Sequence, residues 1–297
     1  MNRLLTVSIG MITELRGTFL LGIFLVWGSG IEAQEKPPRE LRAIFPVTCV
    51  SPGLADGLAK LFEAQYKVPV KVYSLCTGDA IRFIKEHEGV EDVDVMIGHD
   101  YDAEERFVRD GYAVNLRQVC YSDFVLVGPP EDPAKIKGMT SAVKALEKIA
   151  KMKANFCSRA DSSGTHALEM RIWKMAKIKP DGDWYIKTKV GTSETLMLAA
   201  RKRAYFISQW ATFTQTGETI DLIPLVDDKA TLFTNYEVMA INPQRFPTVN
   251  YVTAIVFIGF LTSPDIQKYI GEFGIEKFHR PSFWPLAVKT NQPQKGR

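Results

Sequence analysis

The sequence predicts an α/β protein in two lobes, each a mostly parallel sheet flanked by helices. Two observations predict it. Short apolar strand patterns alternate with amphipathic helix patterns along nearly the whole chain, the order that builds parallel sheets with helices on their faces. Beyond an N-terminal segment, roughly 260 residues of such units remain, more than one hydrophobic core holds comfortably. Hydrophobic residues make up 46% and charged residues 24%, enough for real cores under an ordinary soluble surface. The formal net charge of +3, with no block of like charges, excludes the electrostatic footprint of a nucleic-acid binder.

The N-terminus reads as a targeting segment. Arg3 and Arg16 flank a mixed stretch, followed by the apolar run T-F-L-L-G-I-F-L-V-W at residues 18–27. That run has the length of a signal-peptide core and is too short to span a bilayer. Cleavage is expected after Ala33, which removes residues 1–33; an uncleaved membrane anchor is the alternative. No later apolar stretch reaches spanning length.

The elements follow in order. Residues 41–47 form a strand. Residues 53–66 form a helix with Leu54, Leu58, Leu61 and Phe62 on one face. V-P-V-K-V opens a second strand over 68–75, a helix spans 79–87, a third strand 93–97 and a helix 103–110. A second series begins with a strand at 123–127, closed by Gly128-Pro129-Pro130. Val143, Leu146, Ile149 and Ala150 mark a helix; strand 155–158 and helix 163–176 come next. Strand 184–188, helix 193–203, strand 204–208 and strand 236–241 follow, and helices at 251–261 and 264–273 end the fold.

The sharpest chemical signal is S-R-A-D-S-S-G-T-H at residues 158–166, between a strand and an amphipathic helix. Asp161 or Ser162 can cap that helix. Ser163, Gly164 and Thr165 then offer N–H groups that no carbonyl of the first turn satisfies, reinforced by the helix dipole. Gly164 lets an anion approach the backbone. Arg159 adds a planar donor fork suited to oxyanions. A plain capped helix with a surface arginine explains the same text. Three further turns lie at the carboxyl ends of strands, where open α/β sheets bind ligands: Thr77 and Gly78 after Cys76, Thr48 and Ser51 around Cys49, and Ser193 after Gly191-Thr192. Each alone reads equally as a helix cap.

No Walker loop, G-x-G-x-x-G, H-E-x-x-H or G-x-S-x-G occurs, so no enzyme motif is spelled out. The four histidines are scattered; His99 follows the third strand and can face a cleft or serve the core. Asp92 and Asp94 are explained by strand alternation and solvation. Trp173, Trp184 and Trp284 read as core. Four cysteines lie beyond the N-terminal segment and match no zinc or redox spacing. Cys49 and Cys76 fall at neighbouring strand ends, so a disulfide between them is expected, and a thiol- or metal-handling role stays open.

Several ordered segments carry a resemblance: D-V-D-V-M-I-G-H at 92–99, A-E-E-R-F-V-R-D-G-Y at 103–112, Y-S-D-F-V-L-V-G-P at 121–129, S-R-A-D-S-S-G-T-H at 158–166, G-D-W-Y at 182–185, L-T-S-P at 261–264 and F-W-P at 283–285. Through them the chain, from about residue 53 to 285, resembles the periplasmic tungstate-binding proteins of ABC transporters, and more loosely molybdate and phosphate binders. The resemblance implies a type II periplasmic-binding-protein fold: lobe 1 over 34–124, lobe 2 over 125–235, and a return to lobe 1 over 236–297, with two crossing segments. It implies an anion held by Arg159 and the 163–165 turn, with Thr77 in place of a family hydroxyl. It also implies a monomer in the periplasm that serves a membrane permease, holds no cofactor or metal and performs no chemistry. Tungstate is the first expectation, with molybdate, phosphate or a small organic acid as alternatives. Two segments depart from the family text. Its T-T-T-S signature faces F-P-V-T-C-V-S at 45–51, and its T-D-R-G stretch faces S-Q-W-A at 208–211.

Overall fold

The computed structural model describes residues 39–87, 93–217 and 219–288. The expected signal segment at 1–33, its cleavage point after Ala33, and Asp92 lie outside these residues. The elements of both lobes belong to the compact unit that begins at Pro38.

The first lobe is built from β1 (Leu41–Phe45), α1 (Val47–Val50), α2 (Leu54–Tyr66), β2 (Val70–Ser74), α3 (Thr77–Glu86), β3 (Val95–Gly98) and α4 (Tyr101–Arg109). The chain then enters β4 (Ala113–Gly128). The second lobe adds α5 (Ala142–Met152), β5 (Phe156–Ser158), α6 (Gly164–Met175), β6 (Tyr185–Lys187), α7 (Thr192–Lys202), β7 (Phe206–Gln209), α8 (Trp210–Gly217) and β8 (Ile223–Val226). The return is β9 (Phe233–Ile241), α9 (Tyr251–Leu261), α10 (Pro264–Glu272), α11 (Ile275–Phe278) and β10 (Trp284–Pro285).

Each lobe holds a parallel trio of strands. In lobe 1, β1 lies between β2 and β3, with Ala43 opposite both Val72 and Val95. In lobe 2, β5 runs parallel to β6 and bridges to Tyr205 just before β7. The long strands β4 and β9 run antiparallel to each other and carry the chain between the lobes. Strand β4 pairs with β9 up to Asp123↔Phe233, then changes partner to β7 from Phe124↔Gln209 onward. At that change Asp123 accepts from Lys229 Nζ at 3.3 Å and from Arg280, which ties the crossing strand to both lobes.

Strand alternation explains why these segments read as unbroken apolar runs. Phe124 and Leu126 enter the core shared with α5 and α6, whereas Val125 and Val127 enter the core shared with α7 and α8. In lobe 1, Phe45, Val95 and Val238 meet Phe62 and Phe257 on one face, while Ile44, Met96 and Met239 meet Ile84 and Phe107 on the other. Helix starts follow their caps: Asp100 accepts from Ala103 N, and Ser141 from Lys144 N.

The expected strand at 123–127 is the last part of β4, which begins ten residues earlier. Its first half is polar on the exposed face through Asn115, Arg117 and Gln118, which hides the strand pattern. The elements α1, α8, β8, α11 and β10 are additions to the sequence reading. Trp173 is fully buried, as expected; Trp184 packs beside it, and Trp284 stacks on Tyr121 near the lobe 1 edge.

Candidate functional site

The turn between β5 and α6 is organised by Asp161. Its Oδ1 accepts from Ser163 N at 3.1 Å and from Ser163 Oγ at 2.5 Å; its Oδ2 accepts from Arg159 Nε at 2.9 Å and Nη2 at 2.6 Å. The helix cap is therefore Ser163, not Asp161 or Ser162, and its Oγ accepts from His166 N at 3.2 Å. Both Ser163 donors are spent on Asp161, so Ser163 shapes the turn and leaves Gly164 and Thr165 to present its first-turn N–H groups. Thr165 Oγ1 is buried and has no partner.

Arg159 is 5% exposed. Besides Asp161, its Nη1 donates to Thr192 Oγ1 at 2.9 Å, and its Nη2 lies 3.7 Å from Cys76 Sγ. The guanidinium is thus aimed by Asp161 and Thr192 and reaches across to lobe 1. The sequence pointed to Ser193 in this turn; the helix begins one residue earlier, so Thr192 makes the contact and Ser193 is half-buried beside it.

Lobe 1 supplies a matching set. His99 N donates to Thr77 Oγ1 at 3.1 Å, and Thr234 Oγ1 donates to His99 O at 2.9 Å. The His99 ring stacks on Tyr236 at 5.0 Å, and Tyr236 Oη donates to Thr48 Oγ1 at 2.9 Å. Thr48, Thr77 and Thr192 each receive a hydrogen bond, which leaves each hydroxyl proton to be donated elsewhere. Burial, with the charge of Arg159 second, lowers the His99 pKa to about 3, so the ring is neutral. Its Nδ1 has no partner.

The lobes touch along these turns. Gly78 N donates to Ser162 O at 3.1 Å, and Ser162 Oγ donates to Asp79 Oδ1 at 2.6 Å. A Cβ on Gly78 would stand 2.8 Å from Ser162 Cβ, and one on Gly164 would stand 2.5 Å from the His99 ring. Both glycines are therefore required by close approach. The structure brings together Arg159, Gly164, Thr165, Thr77 and Gly78, and joins Thr48 to them through Tyr236 and His99. Ser51 stands apart: it is exposed and caps the C-terminus of α1.

The expected Cys49–Cys76 disulfide is absent: both are free thiols. Cys49 packs inward beside Cys120 in the lobe 1 core, whereas Cys76 turns to Arg159. Burial pushes the Cys49 thiol far up, which makes it inert. Among the described residues no group of three or more His, Cys, Asp and Glu side chains could hold a metal ion.

Sequence reasoning missed a buried acid pair behind this wall. Glu104 and Glu237 are fully buried, and Glu104 Oε1 accepts from Asp100 N at 2.8 Å, next to His99. Burial pushes Glu237 up to about 7; burial and then the charge of Glu237 raise Glu104 well above the usual range. Both values exceed those of the unfolded chain, so the fold retains protons that the unfolded chain releases. For Glu237 that stabilisation is complete below about 4.5 and is lost as pH rises through about 7, and the raised Glu104 adds a loss in the same direction. The melting midpoint of the wild-type chain is expected to fall between about pH 5 and about pH 8.5, and Glu237→Gln to flatten that fall. Scanning calorimetry across the range checks it; parallel slopes for the two proteins would count against the pair.

Two α/β lobes joined by two crossing strands, with helix N-termini of both lobes turned toward one seam, make the periplasmic-binding-protein fold. The comparisons with known proteins agree. A family model described as a PBP superfamily domain matches residues 48–265. The tungstate-binding protein TupA of Peptoclostridium acidaminophilum is 34% identical over 272 residues, 88% of this chain and 94% of that protein. A structure described as the tungstate ABC transporter from Geobacter sulfurreducens is 36% identical with a TM-score of 0.71, covering 79% of this chain and 98% of that one. The tungstate-binding protein TupA from Desulfovibrio alaskensis is 32% identical with a TM-score of 0.71, covering 84% and 100%. The chain belongs to the PBP superfamily and, within it, to the family of the tungstate-binding proteins. Among the described residues no helix is long and apolar enough to cross a membrane.

Proposed function

We propose that this protein is the extracytoplasmic binding component of an ABC importer, which captures a tetrahedral oxyanion between its lobes and delivers it to a membrane permease. The observation that carries the reading is the seam itself. A buried arginine, two helix N-termini and hydroxyls with unspent protons converge there, a donor-rich set that favours an anion. The family supports tungstate as the first ligand and molybdate as its nearest analogue. Arg159, Gly164, Thr165, Thr77 and Thr48 are the proposed ligand contacts, with Gly78 closing the seam. No group in this set is arranged as nucleophile and base, so the role is binding without chemistry.

Asp161 argues against phosphate. Both of its oxygens are occupied by Arg159 and Ser163, so neither accepts a proton from a ligand. A fully deprotonated anion therefore fits better than hydrogen phosphate. A thermal-shift screen tests the reading. A ligand held by the native state alone raises stability by about 2.7 kcal/mol at a hundred times its Kd. Tungstate and molybdate are expected to raise the midpoint by several degrees and phosphate to leave it in place. A midpoint that no oxyanion moves would sink the proposal.

A further inference from the structure

Lys189 holds a left-handed backbone, with φ at 55°, a conformation that strains any residue with a Cβ and that glycine takes freely. Lys67, Lys153 and Arg203 share it because each caps the end of a helix. Lys189 ends no helix. It lies in the connection from β6 to α7, where its N–H donates to Arg159 O at 2.9 Å. Thr188 N donates to Ser158 O at 2.8 Å in the same manner. Ala160, next to Arg159, is left-handed as well, with φ at 49°. The turns that carry Arg159 and Thr192 are thus laced together through their backbones. At that lacing Lys189 is exposed, and so is Lys187, which lies in register with Ser158.

The seam itself carries little net charge. Arg159 is offset by Asp161, Arg82 pairs with Asp79, and His99 is neutral. Helix N-termini attract an anion only within about a turn. A dianion still in solvent therefore feels almost no pull from the residues that will hold it. Lys189 differs, since among the described residues no carboxylate pairs with it. The acid in the first turn of α7, Glu194, lies back against Gly191. Resting on the oxyanion reading above, we propose that Lys189 is a steering residue: its ammonium draws the free dianion toward the Arg159 turn and raises the rate of capture, without touching the anion once it is held. An exposed charge at the rim of a site acts in this way, on the association rate and its salt dependence more than on dissociation. The strained backbone keeps that charge beside Arg159, where a glycine would relieve the strain and supply no charge.

The test uses the purified chain and sodium tungstate in stopped-flow mixing, at about 10 mM and about 1 M salt, where the screening length falls from about 30 Å to about 3 Å. Wild type is compared with Lys189→Gly, Lys189→Arg and Lys189→Glu, and ligand-free melting midpoints verify that each is folded. At low salt Lys189→Gly is expected to associate about fivefold more slowly and Lys189→Glu about twentyfold, with Lys189→Arg at the wild-type rate. At high salt the four rates are expected to converge, and dissociation rates to stay within about twofold throughout. Lys189→Gly separates charge from backbone, because it suits the left-handed conformation and folds even where Lys189→Glu does not. A wild-type association rate in Lys189→Gly at low salt overturns the proposal. So does a loss that persists at high salt, or one that lies in dissociation. Absence of tungstate binding by the wild-type chain would instead overturn the oxyanion reading, and this inference with it.

Discussion

Replacing Arg159 by Ala is expected to remove two to four decades of oxyanion affinity. Arg159 is buried, and its guanidinium is fixed from two sides by Asp161 and Thr192. Truncating one member of a buried, hydrogen-bonded charge set costs about 3–5 kcal/mol, and about 1.4 kcal/mol is tenfold. The loss has two parts. The ligand forfeits its strongest donor, and Asp161 is left facing the anion without its counter-charge. Arg159→Lys restores the charge but not the planar fork, so it is expected to recover only part of the affinity. Asp161→Ala acts through aim and not through contact. It frees the guanidinium to swing and exposes the Ser163 donors, so it too weakens binding, by less than Arg159→Ala. Calorimetric titration with tungstate and molybdate checks the series. Unchanged affinity in Arg159→Ala would remove the residue from the site.

The second large effect is expected at Gly164. A methyl group there would stand 2.5 Å from the His99 ring, which is held by stacking on Tyr236. The ring cannot yield cheaply, so Gly164→Ala separates the turns that meet at the seam. Separating them also strains the Gly78–Ser162 and Ser162–Asp79 hydrogen bonds that join the turns. The variant is therefore expected to melt lower than wild type without ligand and to bind anion at least tenfold more weakly. His99→Ala added to Gly164→Ala removes the obstacle and is expected to recover part of the loss. A double variant no better than the single one would show that the methyl group acts elsewhere.

The parts of this molecule written locally were readable. Helix α9 begins and ends where its pattern indicates, because Tyr251 to Leu261 is apolar almost throughout and bounded by Asn250 and the T-S-P turn. The turn at residues 158–166 was readable for the same reason: an Arg, an Asp and an S-G-T run before an amphipathic helix are contiguous text. Thr192 was missed by one position, because Gly191 makes no side-chain cap and nothing in the text distinguishes N1 from N2. His99, Tyr236 and Thr48 were not readable as a group. Their relation arises only when the sheets form and the lobes meet: Tyr236 lies 188 residues from the Thr48 hydroxyl it donates to. The disulfide expectation failed on direction. Strand-end position brought Cys49 and Cys76 to neighbouring elements, but side-chain orientation sent one into the core and the other to the seam.

Strand β4 belongs to both sheets, and this has a consequence for how the chain is made. Lobe 2 is one unbroken stretch, but lobe 1 is split around it: β3 meets its antiparallel neighbour β9 from Val95↔Ala240 to Gly98↔Glu237. During synthesis, at about 5–20 residues per second, β3 waits roughly 7–30 seconds for the strand that completes its ladder. Helices α9 and α10, which seal the Phe45 and Phe62 core, arrive later still. Closing so long a loop is slow, as it is for any fold dominated by distant pairings. Lobe 1 therefore stays unfinished until almost the whole chain has emerged, which leaves an interval in which the polypeptide is still threadable.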